Sequence, residues 1–222
     1  MEADFWHEKW EADSIGFHQA RPNKHLQQWW PEAEIAQNSE VFVPLCGKSL
    51  DMLWLHEQGY KVTGIELSQK AIESFFEEND LSFERHTDGP FEVFSGTGKA
   101  EGIKLLAGDF FALTADHCCD VSAVYDRASL IAMNDDLRPQ YAQQLAAILP
   151  AGSISLLLVI DYDTSKMQGP PFPVPAPMVT KLFTKNFDIQ ELAHYSGPEY
   201  VGNLSKRGLD SLEERVFRLH RL

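Results

Sequence analysis

The chain has 222 residues, of which 44% are apolar and 11% aromatic, enough to bury a hydrophobic core without disulfides or metals. Its 14 glycines and 12 prolines are too few for a collagenous or low-complexity chain. The formal net charge of −14, from 19 basic and 33 acidic side chains, opposes docking on nucleic-acid phosphates or on anionic lipid. We therefore expect one globular domain that binds neither nucleic acid nor membrane.

The cysteines and the N-terminus bear on location and metal binding. Of three cysteines, Cys118 and Cys119 are neighbours, which fits neither a disulfide framework nor Cys-x-x-Cys metal spacing. The eight histidines are scattered, so no metal site is expected. The opening MEADFWHEKWEAD is acidic, without the features of a signal peptide, and no window of 18 apolar residues occurs, so we expect a cytoplasmic protein.

The first half of the chain alternates strands and helices. Aromatic residues share one helical face over 4–10, and KHLQQWW predicts a second short helix. We assign 1–38 to a helical N-terminal extension and 39–222 to the core of a single domain. EVFVPL then predicts a strand, CGKS a turn, LDMLWLHEQ a helix and KVTGIEL a second strand, after which Ser68 is placed to cap the helix KAIESFFEEN.

The second half continues the pattern and ends differently. LSFERH, FEVFSGTG and IKLLAGDFF predict short strands, the third being the best candidate for a parallel one, and SAVYDRASL predicts another. DDLRPQYAQQLAAILP predicts a helix, SISLLLVIDY a central buried strand, and MQGPPFPVPAP an ordered surface loop or lid. After a helix over 178–184, FDIQELAHY and EERVFRLHRL predict an antiparallel pair at one edge. The fold class is a three-layer α/β domain, doubly wound, with a mostly parallel sheet.

The candidate site lies at the carboxyl ends of the parallel strands, where such sheets bind ligands. The turn at 46–49 contains one glycine, Gly47, so neither the dinucleotide nor the phosphate-loop glycine pattern is met. Glu66 ends the next strand about 20 residues later, where a carboxylate can accept both hydroxyls of a ribose. This spacing serves nicotinamide dinucleotides and S-adenosylmethionine alike, and the missing phosphate pattern favours S-adenosylmethionine.

Two further strand ends add candidates. Asp109 and Phe110 follow the third parallel strand, where an acid and a ring can face an adenine, although core packing is the commoner fate of a phenylalanine. Asp126 and Arg127 end the fourth strand and would face the same opening, with a surface ion pair as the alternative. Cys46 reads as a small turn residue, since no nucleophile elbow occurs.

Five segments resemble the thiopurine S-methyltransferases, closest to the bacterial branch: FWHEKWEADSIGFHQ, VFVPLCGKSLDMLWL, VTGIELS, YDRASLIAM and DYDTSKMQGPPFPVP. The resemblance runs from about residue 5 to the C-terminus. It implies a class I, Rossmann-like methyltransferase fold and S-adenosylmethionine as cofactor. By resemblance the cofactor-binding positions are Trp10, Leu45, Glu66, Asp109, Phe110 and Arg127, and the lid and substrate-facing aromatics are Trp6 and Phe17.

The resemblance also implies a reaction, the S-methylation of small aromatic or heterocyclic thiols by a monomer. Because the methyl donor arrives activated, no covalent intermediate is needed, and the one candidate for a chemical role is Arg127, whose charge could favour a thiolate. The alternatives are a methyltransferase for selenium, tellurium or other small acceptors, a non-catalytic binder on the same fold, and a nicotinamide-dependent oxidoreductase. The N-terminal aromatic segment and the 167–177 loop are the candidates for a cover over the site.

Overall fold

A computed structural model describes residues 3–12, 15–16 and 18–222. The helices are α1 Ala3–Glu11, α2 Lys24–Trp29, α3 Leu50–Glu57, α4 Gln69–Glu78, α5 Arg138–Ile148 and α6 Ala176–Phe183. The strands are β1 Glu40–Val43, β2 Lys61–Glu66, β3 Ser82–Asp88, β4 Phe91–Thr97, β5 Ile103–Ala107, β6 Val121–Arg127, β7 Ile154–Asp161, β8 Phe187–Gly197 and β9 Leu212–Arg221.

The strands form one sheet in the order β3-β4-β5-β2-β1-β6-β7-β9-β8. The five strands from β5 to β7 are parallel to one another, and β8 and β9 are antiparallel. The α/β class and the antiparallel C-terminal edge are therefore confirmed. The opposite edge is antiparallel as well, which the sequence analysis did not anticipate. The cause is the two-residue turn of Gly89 and Pro90 between β3 and β4, because so short a connection permits only antiparallel pairing.

The core lies on both faces of the sheet. Neighbouring residues of one strand, such as Val41 and Phe42 of β1 or Leu156 and Leu157 of β7, pack into different apolar clusters on the two sides. In β7, Leu156 and Leu157 are fully buried, as the apolar run SISLLLVIDY predicts for a strand covered on both faces. The parallel strands are thus held rigidly, and their carboxyl ends are fixed relative to one another.

The chain order creates a crevice between β1 and β6. From β1 the chain adds β2 and β5 on one side, and then crosses over to add β6 and β7 on the other side. Ligands of open α/β sheets bind at such a reversal, outside the carboxyl ends of the strands. Helix α1 lies on this side of the molecule and contacts α4. The division into an extension and a core remains a prediction.

No helix in the described ranges is long and apolar enough to cross a lipid bilayer.

Candidate active site

A cavity of about 1160 Å³ opens at the carboxyl ends of the parallel strands. Residues from α1, from the loops after β1, β2, β5 and β6, from the proline-rich loop and from β9 line it. Seven of the eight positions singled out from the sequence are among the lining residues: Trp6, Trp10, Leu45, Glu66, Asp109, Phe110 and Arg127. Phe17 lies outside the described residues. The fold therefore brings the seven described candidates together in one cavity, and their functional roles remain predictions.

Glu66 is the buried carboxylate of the cavity, with 6% of its surface exposed. One oxygen accepts the backbone N–H of Gly47 at 2.9 Å and the other accepts that of Ser68 at 2.9 Å. The indole N–H of Trp10 donates to the same carboxylate. Burial raises the pKa of Glu66, and these donors oppose the rise. The backbone N–H of Leu67 is a fourth donor, so the roughly four acceptor positions of the carboxylate are all used and a ribose hydroxyl would bind by displacing one of these donors.

The loop after β1 is shaped by its contact with Trp10. Leu45 and Gly47 both have positive φ, 46° and 52°, which directs the Gly47 N–H at Glu66. A Cβ on Gly47 would lie 3.1 Å from the indole of Trp10, so the glycine permits this close approach. Burial and the nearby Glu66 raise the pKa of Cys46 well above its ordinary value, which agrees with a packing role for this thiol.

Arg127 lies at the end of β6 and is held by α3. Its Nε donates to Oδ2 of Asp51 at 2.8 Å, and its side chain is 15% exposed. Burial alone would lower the pKa of Arg127, but the neighbouring Tyr125 and Asp51 raise it, so the guanidinium stays charged. Asp51 also accepts the backbone N–H of Asn23 at 2.7 Å, which links the start of α2 to the same charge cluster.

Asp126 does not face the opening, and here the sequence interpretation was wrong. Successive residues of a strand point to opposite faces, so Arg127 turns toward the cavity and Asp126 away from it. Asp126 is 2% exposed and accepts the hydroxyl of Tyr141 at 2.7 Å. Burial raises the pKa of Asp126 to about 6. It is a structural residue beneath the site.

The segment after β5 combines a packed ring with an exposed one. Asp109 caps a 3-10 helix by accepting the N–H of Phe111 at 2.9 Å. Phe110 is 5% exposed and stacks on Tyr141 with ring centroids 4.9 Å apart, so much of its area belongs to the core. Phe111 is 36% exposed and also lines the cavity, although the sequence analysis singled out Phe110.

The proline-rich loop forms part of the opposite wall. Gly169, Pro170 and Pro171 line the cavity, as the interpretation of 167–177 as a cover requires. Arg207 donates to the backbone carbonyls of Gln168 and Pro170 and ties this loop to the segment before β9. The cavity wall is thereby formed from segments about 40 positions apart.

Among the lining residues that sequence reasoning missed are His25 on α2 and Glu214 on β9. Their side chains meet at 2.6 Å although 189 positions separate them in the chain. Neither belongs to a motif, so no local signal could have paired them. No group of three or more metal-ligating side chains is present in the described part of the chain.

A family model decides the family to which the chain belongs. The model of the thiopurine S-methyltransferases matches residues 1–222. The chain belongs to the thiopurine S-methyltransferase family. As a member of it, the chain is a methyltransferase of the S-adenosylmethionine-dependent class, and the resemblance noted in the sequence is confirmed.

Curated members of the thiopurine S-methyltransferase family match over nearly the whole chain. The thiopurine S-methyltransferase of Pseudomonas syringae pv. tomato is 43% identical over 221 residues, covering 100% of this chain and 99% of its own. That of Nitrosospira multiformis is 45% identical over 219 residues, covering 99% and 98%. The family assignment thus rests on nearly the full length of this chain and of each of the two relatives.

Solved structures of methyltransferases share the fold. A SAM-dependent methyltransferase from Anabaena variabilis superposes with a TM-score of 0.67 at 15% identity, covering 99% of this chain and 95% of its own. The 1,6-didemethyltoxoflavin-N1-methyltransferase of Burkholderia thailandensis, solved with S-adenosylhomocysteine, gives 0.63 at 15% identity, with 99% and 86% covered. At such identities the likeness shows the fold, and the Rossmann-like class I architecture is confirmed.

The residues of the cavity fit an adenosyl group. A buried carboxylate at the end of β2 can accept ribose hydroxyls, and the close approach of Gly47 to Trp10 leaves backbone and ring, without a further side chain, along that wall. Apolar area from Ile131, Met133 and Leu158 lines the rest. The arrangement can bind a flat, largely apolar molecule beside a charged guanidinium.

Proposed function

We propose that this protein transfers the methyl group of S-adenosylmethionine to the sulfur of a small aromatic or heterocyclic thiol. The observation that carries the proposal is the single cavity in which Glu66, Trp10 and Arg127 meet in a chain of the thiopurine S-methyltransferase family. The names of the curated relatives support the thiol as acceptor.

In this proposal Glu66 holds the cofactor by its ribose. Its carboxylate is already oriented by the N–H groups of Gly47 and Ser68, so little conformational entropy is lost when hydroxyls bind. Trp10 and Leu45 cover the same end, and Asp109 and Phe110 border the adenine position. When bound, S-adenosylmethionine supplies a methyl group activated by its sulfonium charge.

The remaining wall positions the acceptor and excludes water. Arg127, kept charged beside Asp51, favours the thiolate form of an acceptor that lies near it. The proline-rich loop and the aromatic residues of α1, including Trp6, cover the apolar acceptor region. Holding the sulfur and the methyl in line supplies most of the catalysis, because no covalent enzyme intermediate is required.

The test is a methyl-transfer assay with S-adenosylmethionine and 6-mercaptopurine, in which S-adenosylhomocysteine and the methylated purine are quantified together. We expect both products in equal amounts. Binding of S-adenosylmethionine without product from any aromatic thiol would contradict the acceptor class and direct the search to selenium and tellurium species. Failure to bind S-adenosylmethionine at all would overturn the proposal.

A further inference from the structure

The cavity has one carboxylate that the cofactor assignment does not use. Of the acidic residues lining it, Glu66 follows β2 and Asp109 follows β5, but Glu214 lies on β9. In the sheet β9 lies two strands beyond β6, the strand that ends at Arg127. Strands are spaced by about 4.8 Å, so Glu214 lies about 10 Å past Arg127, away from Glu66.

Only one of the two carboxylate oxygens of Glu214, Oε2, has partners among the described residues. Its Oε2 accepts Nε2–H of His25 at 2.6 Å and lies 3.6 Å from the ammonium of Lys24. Among the described residues none donates a hydrogen bond to its Oε1. The side chain is 23% exposed and lines the cavity, so a carboxylate oxygen with unused acceptor capacity is available to a molecule bound there.

The partner that orients Glu214 is itself rigid. His25 is 3% exposed, and its ring stacks on Tyr195 with centroids 4.5 Å apart. The Tyr195 hydroxyl accepts the indole N–H of Trp29 at 2.9 Å and donates to Gln28 at 3.2 Å. Because a carboxylate only accepts, Nε2 of His25 carries the proton. The position of Oε2 is therefore fixed by packing before any ligand binds.

The two arginines of the same wall bind other groups and do not pair with Glu214. Arg207 donates to the carbonyls of Gln168 and Pro170, and Arg215 pairs with Glu191 and Glu213 at 2.8 Å each. Within the described structure neither guanidinium lies within ion-pair distance of Glu214, and the ammonium that does is that of Lys24. A carboxylate accepts hydrogen bonds and repels anionic groups, so the group that it can bind on a heteroaromatic acceptor is a ring N–H.

We propose that Glu214 is a specificity-determining residue that accepts a ring N–H of the methyl acceptor, on the side of the ring opposite the sulfur. The inference rests on the proposed function, because the sulfur must face the cofactor end of the cavity. The thiolate of a purine-type acceptor keeps the N–H of its five-membered ring after the thiol has ionised, whereas a carbocyclic thiolate has only C–H groups there. Glu214 thus selects N–H heterocycles over benzene-type thiols.

The experiment compares 6-mercaptopurine, whose thiolate keeps the N–H of the five-membered ring, with benzenethiol, which has no ring N–H. For Glu214→Gln and Glu214→Ala we expect kcat/KM for 6-mercaptopurine to fall at least about tenfold, and that for benzenethiol to change less than about twofold. Calorimetric affinity for S-adenosylhomocysteine, expected to be unchanged in both variants, reports that the fold and the cofactor end are intact.

A control variant lies at the other edge of the sheet. Glu84 of β3 is exposed and does not line the cavity. Glu84→Gln should leave the ratio of the two acceptors unchanged. An equal loss for both acceptors in the Glu214 variants, or no loss for either, overturns the assignment. Methylation of neither thiol by the unaltered protein would instead contradict the proposed function.

Discussion

The Glu66 side chain is buried in the cavity wall and held by several hydrogen-bond donors. Both of its oxygens accept backbone N–H groups, so a glutamine there would turn its amide N–H₂ against Gly47 or Ser68. We predict that Glu66→Gln weakens S-adenosylhomocysteine binding by roughly tenfold or more, since a charge-assisted bond is lost and a donor is left unpaired. Calorimetry measures this directly. The exposed Glu84→Gln on β3 is the control, and equal affinity of both variants would contradict the role of Glu66.

Asp126 makes a prediction about pH and stability. Its folded pKa, about 6, lies above its ordinary 3.8, so the folded state holds the proton more tightly than the unfolded state. The stabilisation is therefore present at low pH and is lost as pH rises through about 6. Relative to Asp126→Asn, the free energy of unfolding of the unaltered protein should fall by about 2 kcal/mol between about pH 4.5 and pH 7.5.

Urea unfolding at several pH values measures this difference. In the Asp126→Asn variant the amide oxygen would still accept the Tyr141 hydroxyl, so the comparison isolates the titration. Asp188→Asn, at an exposed position of β8, is the control for the Asp-to-Asn change itself. Parallel pH profiles for the unaltered protein and Asp126→Asn would show that the buried carboxyl does not titrate in this range.

The turn between β1 and α3 contains a glycine with positive φ that also lies against Trp10 in the cavity wall. Gly47 and Gly59 both have positive φ, 52° and 89°, but only a Cβ at Gly47 would meet another side chain, Trp10. We predict that Gly47→Ala and Gly59→Ala each cost about 1–2 kcal/mol of stability, and that only Gly47→Ala also weakens cofactor binding, by displacing the indole. Unfolding and calorimetry on both variants separate the two effects, and equal cofactor affinities would refute the contact argument.

Local sequence signals predicted most of the helices and strands and several of the residues that line the cavity. The alternation of short apolar runs with capped helices predicted the parallel core of the sheet. The position of Glu66 at the end of β2 predicted that its side chain would lie at the cavity. The sequence interpretation places Asp126 at the opening with Arg127, whereas alternation along β6 directs these two side chains to opposite faces of the sheet. His25 and Glu214 were beyond sequence reasoning, since their meeting depends on β9 lying beside β7, which is a property of the whole sheet.

Binding of a ligand to the folded chain should raise its free energy of unfolding and therefore its Tm. A ligand that binds the folded state alone at about 100 times its Kd adds about 2.7 kcal/mol, which for this size corresponds to a rise in Tm of about 5–10 °C. We predict such a rise with S-adenosylhomocysteine and none with NAD or NADP at the same concentration. Thermal unfolding followed by circular dichroism measures it, and a rise with a dinucleotide would favour the oxidoreductase alternative.

The place of β9 in the sheet has a consequence for biosynthesis. β9 follows β8 in the chain but lies between β7 and β8, and it is the only strand that β8 pairs with in the described sheet. While the chain leaves the ribosome, β8 must therefore wait without a hydrogen-bonding partner until residues 212–221 emerge. The parallel core can assemble before that moment. The cavity wall that carries Glu214 is therefore completed only when β9 enters the gap between β7 and β8.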